Sequence, residues 1–310
     1  MRKSRSGSWV SQTDEGTVRR TTRATALVVV VTFILTLTAT WLPAQSPPIS
    51  AGYGQGRGRA AAGSCPGAVS GTLATSATVS AVATGVELQD MSRTGSWHVM
   101  KQPDPMRIAA DPSSHLHALG SYHLARTAAS AFAGCQGAMR AAASGAVWAL
   151  AVGVSKEVVD GWYTGFSTVD LAVDAAGVGY ALAQTAVPVL RHITPTFSLS
   201  PRALRSLASA SGAMTDYGNQ TVWLSANVHE LLPTAAARAW PAAMRLSVGR
   251  RTAGGTAGSQ YIIGVDLDAV YLPGSNARWM RVKAALHHVR LPGPALVVGS
   301  NGTKAFGLYW

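Results

Sequence analysis

Charge, aromatic side chains and cysteine are all scarce in this chain, and each shortage narrows what it can be. Only 13% of the 310 residues are Asp, Glu, Lys or Arg, against about 25% in ordinary soluble domains. Acids are the scarcer sign, 14 against 26 bases, which leaves a formal charge of +12. No basic stripe interleaved with aromatics and no nucleic-acid motif is present, so nucleic acid is excluded as a partner. Cys65 and Cys135 are the only cysteines, and their separation fits no metal-binding spacing. A disulfide in an oxidising compartment and a buried free thiol at Cys135 both stay open. The chain also lacks a Gly-x-Ser-x-Gly elbow, a His-Glu-x-x-His helix and a phosphate loop, so no reaction or substrate class is assigned and no cofactor is implied.

What the chain has in plenty is Ala, Gly, Ser and Thr, the composition of closely packed, partly membrane-associated helices. Arg carries most of the positive charge, which suits the phosphates of lipid headgroups, although a coding bias toward Arg and Ala explains the same excess. Residues 1–44 read as a basic cytoplasmic segment and a signal or anchor helix: Arg2, Lys3, Arg5, Arg19, Arg20 and Arg23 precede an uncharged run from Ala24 to Leu42. Such a run of about 19 residues is long enough to stay as an anchor with the remainder delivered across the membrane. Residues 45–107 read as a Gly/Ser/Pro-rich linker in which Ser70–Val86 makes an isolated hairpin or nothing ordered.

Residues 108–195 read as a helical core. Asp111 before Pro112 is a helix N-cap with proline at the first position, which predicts a helix to about Ala133. A second helix is expected from about Gln136 to Trp162. Gly137, Ala141, Gly145, Ala149 and Gly153 recur along it every four residues and form a ridge over which a neighbouring helix can approach closely. Ser167 with Asp170 caps a third helix, expected to run to about Leu190. Up-down-up connection of the three gathers His115, Glu157, Asp160 and Asp174 at one end, and these four are the candidate catalytic or metal-binding residues. Against that, Asp111 and Asp170 suffice as caps, Lys156 with Asp160 as a helix-end ion pair, and His117 and His123 as surface or interfacial residues. A structural polar network outranks a catalytic one.

These residues carry a resemblance. Asp111 and His115, then Gly153, Lys156, Glu157 and Asp160, then Gly165, Ser167, Asp170, Leu171, Asp174 and Gly177 resemble, in type and spacing, the YfiM-like family of predicted periplasmic lipoproteins, a domain of unknown function. The resemblance covers roughly residues 108–190. Pro112 stands where the family has Lys, and no lipid-attachment cysteine follows the apolar run. The family implies an envelope location and supplies no activity.

Residues 196–310 read as a mixed α/β segment. Short helices are expected at 201–210, 222–232 and 235–246, a strand at 261–268, an amphipathic helix at 279–288 whose Arg281, Lys283 and Arg290 touch lipid headgroups, and final strands at 294–298 and 305–310. The terminal aromatic residue resembles the end of an outer-membrane barrel, but too few alternating strands precede it to close one. The expected fold is thus mainly α: a membrane anchor, a small-residue-rich three-helix core and a C-terminal α+β segment. The expected role is structural or interactive, at the inner membrane, with membrane lipid or envelope proteins as partners and the bulk of the chain periplasmic. The alternatives are a polytopic protein, and a hydrolase or transferase built on the His/carboxylate cluster around a divalent metal.

Overall fold

The computed structural model describes residues 112–133, 135–200, 220–252, 259–299, 302 and 304–309, with shorter pieces between 69 and 101. The leader, Asp111, Cys65 and the helix expected at 201–210 lie outside the described residues. Three helices come first: α1 (Pro112–Ala133), α2 (Ala138–Asp160) and α3 (Thr168–Ala186). They bury a core of small side chains around Tyr122, Ala125, Ala146, Ala149, Val178 and Ala181. The glycine ridge is what brings them together. A Cβ at Gly145 would overlap the backbone of Ala125 and Ala129, and one at Gly177 would overlap the carbonyl of Ala118, so neither helix pair could approach as it does with any larger residue. Gly137, at the start of the ridge, is exposed, and a Cβ there would meet nothing.

The mainly-α expectation is overturned by the chain beyond α3. Six strands, β1 (Ile193–Leu199), β2 (Gln220–Asn227), β3 (Met244–Thr252), β4 (Ser259–Leu267), β5 (Gly293–Gly299) and β6 (Lys304–Tyr309), form one antiparallel sheet in sequential order, and the fold is α+β. The regions expected as helices at 222–232 and 235–246 are largely β2 and the start of β3, with only one-turn helices between them. Pro195 sits in β1, an outer strand of the sheet, where proline is tolerated. Residues 73–78, read as strand or disorder, are helical, and Ser76 is buried there against the Trp148 indole, which donates to its Oγ at 3.0 Å.

The sheet is curled. After helix α4 (Ala277–Leu286), Val289 pairs with Phe197 of β1, and four residues later Gly293 begins β5. In a flat sheet those two positions would stand about 24 Å apart at 4.8 Å per strand, yet four residues span at most about 14 Å. The strands therefore bend around the connecting segment, whose Arg290 lies inside the curl. Its guanidinium sits 3.9 Å from the Trp223 ring centroid and donates to Tyr309 O at 2.6 Å.

The curl gives the sheet two unlike faces. Its concave side buries polar groups, Thr196, Ser198, Ser225, Ser247, Arg245 and Asp266, beside a small apolar core of Trp223, Ile262, Ala295 and Val297. Hydroxyls run from Thr196 to Ser225 and from Ser225 to Ser247 at 2.8 Å each, and Ser247 donates to Asp266 at 2.9 Å. The convex side carries apolar residues that stay exposed. One row across the strands, joined by direct pairing, is Pro195, Leu224, Val248, Ile263, Leu296 and Phe306. Leu224, Val248, Ile263, Leu296 and Phe306 are 53%, 50%, 48%, 41% and 77% exposed, so nothing among the described residues covers them.

Candidate functional site

The α2–α3 connection makes the polar end of the helical layer. Glu157 is buried in the last turn of α2, and its Oε2 accepts the backbone N–H of Ser167 at 3.0 Å. The Ser167 side chain in turn caps α3 by accepting from Asp170 N at 3.1 Å, as its position before Asp170 predicts. Gly165 shapes the link at φ +106°, in the left-handed region that favours glycine. The segment around Val99 closes over it: Phe166 N donates to His98 O and Met100 N to Phe166 O, both at 2.9 Å, while the Trp97 indole donates to Val158 O at 3.2 Å. The Trp97–Met100 stretch is therefore a clasp on the loop that positions Glu157.

Of the four candidate residues, Glu157, Asp160 and Asp174 come to this end and His115 does not. His115 lines a small pocket with Leu116, Gln220, Val222 and Arg250, at the junction of α1 with the sheet. The histidine that joins the carboxylates is His117, read from sequence as a surface or interfacial residue. Its Nδ1 stands 3.5 Å from Asp174 Oδ1, and the same carboxylate oxygen accepts from Ser121 Oγ at 2.8 Å. A shift of two residues along a helix turns a side chain by more than half a turn, and without the fixed start of α1 the sequence could not choose between the two. Asp160 is taken up by Lys156, 2.6 Å away, the internal pair that the four-residue spacing predicts. Gly153 leaves room for Asp174, whose Oδ2 would stand 2.7 Å from a Cβ there.

Electrostatics separate the groups. Burial pushes the Glu157 carboxyl up to about 6 against the opposing pull of Lys156 and the Ser167 N–H. Burial works against a charged His117, but the Asp174 hydrogen bond and the charges of Asp170 and Asp174 outweigh it and hold the imidazole above its ordinary value. One ligand atom each from His117, Glu157 and Asp170 lie within 4.8 Å of one another.

A second polar centre has no signal in the sequence. Asp268 Oδ1 lies 2.9 Å from His287 Nδ1, and His287 Nε2 lies 3.2 Å from Thr194 Oγ1. The order carboxylate, imidazole, hydroxyl is that of a nucleophile relay, but Thr194 is buried in β1, which keeps its hydroxyl from any substrate. The relay pins the end of α4 to the sheet, helped by Arg245, which donates to His287 O at 2.8 Å. The expected headgroup contacts of α4 are corrected at the same place: Lys283 and Arg290 are buried, with Lys283 donating to Gly274 O at 2.6 Å.

His123 and His288 join the helical layer to this centre, their rings edge-on with centroids 4.6 Å apart. Burial, with His287 and Arg126 nearby, lowers His123 to about 3, and burial with the same neighbours holds His288 well below its ordinary value. Both are therefore neutral in the fold and charge when it opens. The stability they contribute is fully present above their ordinary pKa of 6.5 and is lost as pH falls below it. For His123 alone the loss at pH 5 is about 1–2 kcal/mol after allowing for partial exposure. Urea unfolding at pH 7 and pH 5 checks this: His123→Phe is expected to flatten the pH dependence, and an unchanged slope would reject it.

Cys135 is disulfide-bonded, and the sequence has one other cysteine, Cys65. No family model, curated protein or solved structure matches the chain.

Proposed function

We propose that this is a cell-envelope protein with a structural or interaction role at the membrane, lying against lipid through the convex face of its sheet. The observation that carries the reading is the exposed row of Leu224, Val248, Ile263, Leu296 and Phe306. Contiguous apolar surface on this scale marks a contact site, since covering the exposed half of each such side chain gains roughly 1 kcal/mol. Its border favours lipid as the occupant. The neighbouring row runs Phe197, Val222, Arg250, Tyr261, Val298 and Lys304, so two cations flank the apolar field at one end, with the Arg250 guanidinium 5.7 Å from the Tyr261 ring centroid. Basic and aromatic residues at the margin of an apolar face are what the headgroup boundary attracts, and the net charge of +12 adds to the pull of anionic lipid.

Further support comes from the leader, from the disulfide at Cys135, which suits an oxidising compartment, and from the motif resemblance to YfiM-like envelope proteins. Helix α2 is long and apolar enough to cross a membrane by length and composition. We read it as a packed surface helix, because Gly145 and Ala149 face α1 and its last turn holds Glu157 and Asp160.

The test uses the full chain in vesicles with an environment-sensitive dye on Phe306→Cys. Blue-shifted emission quenched by doxyl-labelled lipid is expected, weaker when Arg250→Gln and Lys304→Gln are combined or salt is raised. A dye open to aqueous iodide in vesicles, or shifted but untouched by doxyl lipid, would overturn the reading in favour of water or a protein cover.

A further inference from the structure

The helix-end cluster has a feature that its internal bonds leave unexplained. Glu157 is 1% exposed, and its Oε1 is buried without a hydrogen-bond partner. An unbonded carboxylate oxygen in that position costs free energy unless something binds it. Around it the charges do not balance. Glu157, Asp160, Asp170 and Asp174 gather beside Lys156, which is 2.6 Å from Asp160 and only 4.0 Å from Glu157 Oε1. The lysine lies closest to Asp160, and among the described residues His117 and the more distant Lys156 are the cations beside the remaining carboxylates.

We propose that His117, Glu157 and Asp170 bind a first-row divalent cation, Zn2+ or Mn2+, at this end of the three helices. The donor set, one imidazole and two carboxylates, suits these ions better than the oxygen-only preference of Mg2+ or Ca2+. Glu157 contributes Oε1, since Oε2 already accepts from Ser167 N. His117 contributes Nε2, since Nδ1 faces Asp174, and a ligating imidazole oriented by a carboxylate on its other nitrogen is the usual arrangement around such ions. Ser121 fixes that carboxylate in turn. Ligand atoms at about 2.1 Å from an ion stand no more than about 4.2 Å apart, so the present separations of up to 4.8 Å close by a small side-chain adjustment. Three protein ligands leave coordination positions for water. The three helices supply one ligand each, so the ion would also fix their mutual register. The inference is independent of the membrane reading, because every residue in it belongs to the helical layer.

The experiment takes tag-free full-length protein in detergent, stripped with chelator and titrated with ZnCl2 or MnCl2, by calorimetry and by elemental analysis after desalting. One ion per chain is expected, with affinity at least about tenfold weaker in Glu157→Gln and in His117→Ala. Lys156→Met, which removes the competing cation, is expected to bind as tightly or more tightly. Far-ultraviolet circular dichroism reports whether each variant keeps its helices. No ion on the wild type overturns the proposal, as does equal binding by a folded Glu157→Gln. Should that variant misfold, weaker binding by Lys156→Met decides against the site.

Discussion

Replacing Asp266 with Ala is expected to destabilise the fold by about 3–5 kcal/mol, the largest single effect in the sheet. Asp266 is the counter-charge of Arg245: Nη2 and Nε donate to its two oxygens at 2.6 and 3.3 Å, and both side chains are almost fully buried. Removing the carboxylate strands a guanidinium inside the curl and also orphans Ser247, which donates to the same group. The loss is mostly the cost of the stranded charge, so removing both partners is far milder. Arg245→Met with Asp266→Leu is expected to recover more than half of it, measured by urea unfolding in a double-mutant cycle. Additive losses would mean that the two charges do not act as a pair.

Gly177→Val is the second large effect, expected to cost about 3 kcal/mol or more and to separate α3 from α1. Even an alanine Cβ at Gly177 would overlap the Ala118 carbonyl, and backbone cannot rotate away as a side chain can. Two residues on, Gly179 meets nothing within 4 Å. There Gly179→Ala is expected to stabilise by about 0.5–1 kcal/mol through helix propensity alone. Thermal unfolding of the two variants separates close approach from propensity: losses of equal size would show that helix contact does not set the requirement for glycine.

The contrast between these glycines is also where the sequence is most readable. A four-residue repeat of small residues marks a helix-contact face whatever lies opposite, and Ala141, Gly145 and Ala149 are buried as that repeat requires. The Ser167 cap and the Lys156–Asp160 pair are legible for the same reason, since both depend on spacing within one element. His117 is not, because its partner Asp174 lies on another helix and the choice between positions 115 and 117 depends on how α1 is rotated. The sheet is hidden for a different reason. Met244, Leu246 and Val248 alternate with Arg245, Ser247 and Gly249, and Tyr261, Ile263, Val265 and Leu267 with Gln260, Ile262, Gly264 and Asp266, a period of two that marks strands. Only the second stretch reads as a strand on its own. Pro195 in β1 reads as a break rather than a strand, the Ala-rich run before β3 suggests a helix, and the strands bury hydroxyls and an ion pair beside Trp223, Ile262 and Val297, so apolar-inward reasoning gives little help.

The two unlike faces of the sheet are the centre of the account: the concave side holds hydroxyls, Arg245 and Asp266 beside a small apolar core of Trp223, Ile262, Ala295 and Val297, and the convex row of Leu224, Val248, Ile263, Leu296 and Phe306 is left exposed, as suits apolar surroundings. The most direct measurement is site-specific photo-crosslinking in cells from a photoreactive residue at position 263, in the middle of the convex face. The account predicts adducts with membrane lipid and none with protein. A crosslink within the chain, to a second copy or to another protein would contradict it, and would name what covers the face instead.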